Sequence, residues 1–218
     1  MDYYYIMRSL LFEGLTREEI DRFFVCADAK VKTFKREERI YPLGATVGTL
    51  GLVLSGSVRT ESTNVLGETS ILSIAMPGKT FAEAYACLPD RPLLLDIVAH
   101  EDCEILMMST KTFKHACGKA CPFHRRVSQN LSELLSLRNL ELSRRIYITG
   151  AKTMRDKVLA YLSLQSTEQG ARSFDIPFNR EQLARYLAVD RSALSAELSR
   201  MRARGEIDFR KNHFTLKV

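Results

Sequence analysis

No apolar run in this 218-residue chain approaches the ~20 residues that a helical membrane span needs, so no such span is expected. The opening segment, MDYYYIMRSLLFEGL, carries an acid at position 2 and lacks a long apolar core followed by a small-residue cleavage site. No signal peptide is read there, and a cytoplasmic protein is expected. Cysteine is sparse: five residues, an odd number, scattered along a chain large enough to need no covalent staples. They read as reduced thiols. The four histidines, His100, His115, His124 and His213, stand apart from one another. His124 lies close after Cys121, yet no second ligand pair at zinc spacing follows, so no metal site is expected. Cys117 and Cys121 fall one turn apart if helical, which leaves open a redox or metal pair or two small residues at the entry to a helix. A P-loop, a dinucleotide fingerprint and a nucleophile elbow are all missing, which argues against an enzyme.

What the chain does have is an ordinary globular composition, 45% hydrophobic and 27% charged, with a net charge of +6. Its length allows two modest domains, each with a core of its own. The charge is uneven: from Gly150 onward there are 13 Lys and Arg against 8 Asp and Glu. A basic end on a near-neutral body is the electrostatic footprint of a nucleic-acid binder.

That basic end holds the most informative stretch, Asn179–Phe209. Asn179 suits a helix N-cap, and Leu183, Ala184 and Leu187 then share one face. After Ala188-Val189-Asp190, Asp190 can cap a second helix in which Leu194, Leu198 and Met201 recur at helical spacing. Two short amphipathic helices on a three-residue turn form a helix-turn-helix, whose second helix enters a major groove. The turn lacks its usual glycine and has Ala188 instead, where a positive φ would be uncommon. Arg191, Ser192, Ser195, Ser199 and Arg202 make a polar outer face. An arginine at the helix start can pair with guanine, and serines can bond base edges or phosphates. Arg200, Arg202 and Arg204 add positive charge near phosphates.

Upstream, residues 1–30 read as helical, with a capping box at Thr16-Arg17-Glu18-Glu19 and an apolar face of Ile20, Phe23 and Phe24. Residues 31–110 read as short strands broken by glycines, which suggests a sandwich or jelly roll. Val53-Leu54-Ser55-Gly56-Ser57-Val58 predicts a strand, a tight turn and a second strand; Ser70–Ile74 and Leu93–Val98 predict further strands. A long helix is predicted over about 121–147. Its leucines cover more than one face, and a second apolar stripe implies a second partner, most economically another copy of the chain. Gly150-Ala151 is a hinge candidate, and a helix over 152–165, a strand over 174–178 and a hairpin around Arg210-Lys211-Asn212-His213 complete a winged helix.

A β-roll, a long dimer helix and a winged helix in this order resemble the CRP/FNR family of bacterial transcription regulators, over nearly the whole chain. The Val-Leu-Ser-Gly-Ser-Val segment resembles the family's β-roll glycine turn. Cys121-Pro122-Phe123-His124, Asn130-Leu131, Pro177-Phe178-Asn179-Arg180 and Asp190–Ser195 resemble one of its subgroups. The resemblance implies an α+β fold: a cyclic-nucleotide-binding-like β-roll over 1–120 that senses an effector, a dimerisation helix over 121–148, and a winged-helix DNA-binding domain over 149–218. It implies base reading by Arg191, Ser192, Ser195 and Ala196, and backbone contacts by Asn179 and Arg180. Its expected partners are double-stranded DNA, a second copy of the chain, RNA polymerase and a small-molecule effector.

The effector pocket departs from the family pattern. Cyclic-nucleotide members carry Gly-Glu, the acid taking the ribose hydroxyl, and further on Arg-Ser, which takes the cyclic phosphate. Here Glu83 keeps the acid, Ala82 replaces the glycine, and Leu93-Leu94 fall at the phosphate positions. Two leucines cannot neutralise a phosphate, and burying that anion unpaired is very costly. Arg91, two residues away, is the nearest substitute. The expectation is a transcription regulator whose effector is not cyclic AMP, with its identity and any cofactor unknown. β-Rolls also host metal-dependent oxidases and isomerases, but these need a histidine cluster on the strands, where only His100 stands. The alternative reading is a ligand-sensing module that acts through protein contacts, its helix-turn-helix degenerate.

Overall fold

The computed structural model describes residues 3–64, 66–88, 90–114 and 121–217. The chain divides into two compact units, Met1–Ser136 and Leu137–Val218, with the boundary inside the long helix rather than at either end of it.

The first unit opens with α1 (Tyr4–Met7), a short 3-10 turn (Leu10–Phe12) and α2 (Arg17–Cys26). The helical reading of 1–30 thus holds in pieces. Gly14 sits at φ +77°, where the chain leaves helical geometry before Thr16 restarts it. The Thr16 hydroxyl accepts from Glu19 N–H (3.3 Å), and the Glu19 carboxylate accepts from Thr16 N–H (2.9 Å), the expected capping box. Ile20, Phe23 and Phe24 are buried as their spacing predicts.

Eight strands follow: β1 (Lys30–Phe34), β2 (Arg39–Tyr41), β3 (Thr49–Ser55), β4 (Val58–Thr63), β5 (Thr69–Ala75), β6 (Thr80–Phe81), β7 (Asp96–Ala99) and β8 (Cys103–Ser109). They form two antiparallel four-stranded sheets, ordered β1-β8-β3-β6 and β2-β7-β4-β5. The strand-turn-strand segment around Gly56 is therefore no hairpin: β3 lies in one sheet and β4 in the other. Gly56 makes that passage at φ +69°, and a Cβ there would stand 2.2 Å from the Asp102 carbonyl oxygen, so only glycine fits. The strand expected over 93–98 begins only at Asp96. Leu93 instead bonds the Ala45 carbonyl and accepts from Gly44 N–H, so its backbone is spent on a loop. Two short helices interrupt and follow these strands: α3 (Glu83–Ala86) between β6 and β7, and α4 (Lys111–Lys114) after β8.

The long helix α5 (Pro122–Thr149) matches the predicted span within two residues at each end. Phe123, Val127 and Leu131 join the core of the first unit, beside Phe23, Leu50, Leu52 and Leu106. Asn130 is buried and donates its amide to the Leu11 and Glu13 carbonyls (3.1 and 2.9 Å), which ties the N-terminal segment to the helix. Leu137, Leu140, Leu142, Ile146 and Tyr147 are all at least half exposed.

The second unit contains the rest of α5, then α6 (Met154–Gln169), β9 (Ser173–Asp175), α7 (Arg180–Leu187), α8 (Arg191–Ala203), β10 (Ile207–Arg210) and β11 (His213–Leu216). α6 starts later than expected because Thr153 is the cap: its hydroxyl accepts from Asp156 N–H (3.1 Å). β9 is shorter than the predicted 174–178 strand, since Pro177 has no N–H to extend the ladder. The three strands pair antiparallel in the order β10-β11-β9. Leu183, Leu187, Leu194, Leu198, Met201, Ile207 and Phe214 share one core.

Candidate nucleic-acid interface and effector site

The helix-turn-helix is held by the residues that predicted it. Asn179 Oδ1 accepts from Gln182 N–H, and Gln182 Oε1 accepts from Asn179 N–H, both at 2.9 Å. α7 ends on Ala188 at φ 53°, ψ 54°, the left-handed position that the glycine-free turn leaves to a residue with a Cβ. Asp190 Oδ1 then accepts from Ala193 N–H (2.8 Å) and from the Ser192 hydroxyl, so it caps α8. The Ser192 hydroxyl first, and Ala193 N–H next, hold the Asp190 carboxyl below its usual range.

α8 turns Leu194, Leu198 and Met201 inward. Ser192, Ala196 and Ser199 lie opposite them and are exposed, flanked by Arg191 and Arg202. The Ser195 and Ser199 hydroxyls donate to the Arg191 and Ser195 carbonyls (3.0 Å each), which leaves their oxygen lone pairs open to a donor. Asn179 is exposed at the start of α7, and Arg180 beside it is half-buried.

The remaining arginines behave differently. Arg200 and Arg204 both reach Glu197, at 2.6 and 2.9 Å, and Arg204 also reaches Glu206 at 2.9 Å. Glu206 in turn takes Arg155 at 3.1 Å. Hydrogen bonding from Arg204 is the leading reason that the Glu197 and Glu206 carboxyls titrate below their usual range. Sequence reasoning grouped Arg200 and Arg204 with the phosphate neighbours and passed over these two acids. The i, i+3 spacing of Glu197 and Arg200 was the available signal. It also left the wing unassigned, where Phe209, Arg210 and Lys211 lie. His213 bonds Asp175 (3.0 Å) and the Ser173 hydroxyl (2.9 Å), bracing β11 against β9.

In the first unit, Ala82 takes φ 62°, the backbone position where the family pattern has glycine, and Glu83 begins α3 with its side chain buried. Leu93 and Leu94 do not act as a pair: Leu93 is in the core, and Leu94 is 72% exposed. Arg91 is exposed, its N–H bonded to the Leu88 carbonyl (3.0 Å). Two surface grooves, of about 280 and about 600 Å³, are lined by other residues: Gly14, Phe123 and Arg126 in the first, Phe34, Glu38 and Asp102 in the second. Cys121 is half-buried; Cys117 and His115 lie outside the described residues. No cluster of three or more His, Cys, Asp or Glu fit for a metal occurs among the described residues. No helix among them is long and apolar enough to cross a membrane.

Two sequence families match the chain in the order of its units. The cyclic nucleotide-binding domain matches residues 31–119, and the Crp-like helix-turn-helix domain matches residues 156–217. The chain belongs to the CRP/FNR family. Among solved structures, a catabolite activator protein from Thermus thermophilus is similar at 25% identity, covering 96% of this chain and 94% of its own, with a TM-score of 0.52. The fold also matches the c-di-GMP responsive global regulator CLP of Xanthomonas campestris, at 19% identity over 92% of this chain and 99% of that one, TM-score 0.56. A putative cAMP-binding regulatory protein from Silicibacter pomeroyi DSS-3 matches at 18% identity over 98% and 94%, TM-score 0.51. No curated protein matches in sequence. This CRP/FNR member is thus a transcription regulator that pairs an effector-binding type of domain with a helix-turn-helix DNA-binding domain.

Proposed function

We propose that this chain is a sequence-specific DNA-binding regulator, dimeric through residues 121–147, whose β-roll answers to a small molecule other than cyclic AMP. The observation that carries the DNA reading is α8. It buries Leu194, Leu198 and Met201 and presents Arg191, Ser192, Ser195, Ala196 and Ser199 on its outer side. Arg191 and the neighbouring side chains read base edges; Asn179, Arg180 and Arg202 meet the backbone. Arg200 and Arg204, whose charge goes to Glu197 and Glu206, frame the helix instead. A dimer presents two such helices to two half-sites. RNA polymerase is the further partner such a regulator meets at a promoter.

On the effector side, the family's phosphate positions hold Leu93 in the core and Leu94 in solvent, and neither can pair with an anion. This supports an effector with an apolar body, one end of which meets Glu83, with Arg91 at the rim. Its binding shifts the long helices, and the segment at Gly150 reorients the winged helices toward their half-sites. The test is selection of duplexes from a random-sequence pool by the purified full chain. An enriched motif of two related half-sites is expected. A pool that stays random after repeated rounds would overturn the DNA reading and leave a module acting through protein contacts.

A further inference from the structure

Three parts of the second unit, far apart in sequence, meet at one aromatic ring. The Arg180 guanidinium, from the first turn of α7, lies 4.9 Å from the Phe209 ring centroid and 5.4 Å from that of Phe214. Arg202, in the last turn of α8, lies 5.0 Å from the same Phe209 ring. Phe209 and Phe214 stack in the wing with centroids 5.6 Å apart and planes 27° apart. Arg180 also donates from Nη2 to the Lys211 carbonyl at 3.2 Å, so it is fastened to the wing turn as well. All three cation–ring distances fall inside the ~6 Å range in which the ring quadrupole attracts a cation.

Six arginines on α6, on α7 and on or just after α8 differ in the kind of partner they meet. Arg155, Arg185, Arg200 and Arg204 each have a carboxylate within ion-pair distance. Among the described residues, Arg180 and Arg202 have only rings and a carbonyl. A ring or a carbonyl orients a guanidinium without cancelling its charge, whereas a carboxylate cancels it. Arg200 and Arg204 meet the nearly buried Glu197 and Glu206 and are neutralised in place, whereas Arg180 and Arg202 keep their charge available for an anion.

We infer that Phe209 is a positioning residue for DNA binding: its ring holds Arg180 and Arg202 as an aimed, uncancelled pair of cations for the phosphate backbone. This rests on the DNA reading above and deepens it. It gives the backbone contacts of Arg180 and Arg202 a shared support, which Arg200 and Arg204 lack. A planar guanidinium can lie against a ring and still direct N–H donors outward, so the ring reduces the rotamer freedom that each arginine would lose on meeting a phosphate.

The experiment measures the affinity of the full chain for a fixed duplex by fluorescence anisotropy at several salt concentrations, with a melting curve for every variant. Removing one arginine from a phosphate lowers the slope of log affinity against log salt by about 1. Arg202→Gln is expected to lower the slope by about 1 at an unchanged melting midpoint. Arg204→Gln is expected to lower the midpoint and leave the slope alone. Phe209→Leu is expected to lower the slope by about 1 to 2, because two guanidiniums lose their support. Phe209→Tyr, which keeps the ring, should retain the full slope. A folded Phe209→Leu variant with the wild-type slope overturns the inference, and so does an Arg204→Gln loss as large as that of Arg202→Gln. Should Phe209→Leu fail to fold, Phe209→Met takes its place under the same criteria. If the wild-type chain binds no duplex at any salt concentration, the DNA reading fails along with it. Binding with an unchanged Phe209→Leu slope removes the positioning role alone.

Discussion

At the scale of single residues, Arg191 and His124 carry separable expectations. Arg191 is exposed at the start of α8, and no carboxylate takes its charge among the described residues. Arg191→Ala should cost ~1–3 kcal/mol at a selected duplex and relax preference at one base pair, while leaving affinity for unrelated duplexes nearly unchanged. Competition binding with singly substituted duplexes checks it, and an unchanged preference would mean that another residue does the reading. His124 is buried against Phe23 and Phe123, with centroids 5.6 and 4.5 Å away, and neither ring nitrogen has a hydrogen-bond partner among the described residues. Burial pushes its imidazole below the usual value of about 6.5. The unfolded chain therefore takes up this proton first as pH falls. The stability that the neutral ring contributes is complete above about pH 6.5 and is lost as pH drops through the lower folded value. Melting midpoints at pH 7 and pH 5 should differ less in His124→Phe than in the wild type; an equal difference would place the acid sensitivity elsewhere.

At the scale of elements, the turn between α7 and α8 and the ion-pair network behind α8 are the informative features. Ala188 holds a left-handed backbone that a Cβ disfavours. Ala188→Gly relieves that strain but gives the unfolded chain more freedom, and the balance should stabilise the protein by roughly 0.5–1 kcal/mol. Urea unfolding followed by circular dichroism measures it, and a loss of stability would show that the turn tolerates the Cβ without strain. The network runs Arg200, Glu197, Arg204, Glu206, Arg155 and joins α8 to the start of the wing and to α6. Both carboxyls are held below their ordinary range, so their contribution is present above about pH 4.3 and disappears as pH falls through the depressed folded values.

For the whole molecule, the exposed leucines of α5 and the effector pocket set the expectations. Leu137, Leu140 and Tyr147 lie on one side of the helix, and Leu142 and Ile146 lie on another. So much exposed apolar surface on one helix favours a second copy. Light scattering at micromolar concentration should give twice the 24.8 kDa chain mass; a monomer would overturn the dimer. Cyclic AMP should show no micromolar binding by calorimetry. A micromolar dissociation constant would refute this and point to Arg91 moving into the site. A true effector at a hundred times its dissociation constant should add ~2.7 kcal/mol of stability. A ligand whose thermal shift survives Glu83→Ala unchanged would locate its pocket elsewhere.

The sequence alone determined the features that depend on residues a few positions apart. Thr16 with Glu19, Asn179 with Gln182, and Asp190 with Ala193 are local caps, so side-chain chemistry decides them before any tertiary contact forms. The spacing of Leu194, Leu198 and Met201 likewise fixes which side of α8 is buried, and with it the outer face carrying Arg191. Tertiary structure decided what depends on residues far apart. Periodicity could not say that β3 and β4 lie in different sheets, because a tight turn serves a hairpin and a sheet crossing equally well. Nor could it separate Leu93 from Leu94, since packing rather than hydrophobicity sends one into the core and the other into solvent. The arginines of α8 look alike in sequence. Glu206 stands only two residues from Arg204, but it took the folding of the wing strand back past α8 to bring the Phe209 ring to Arg202, which orients that guanidinium without a carboxylate.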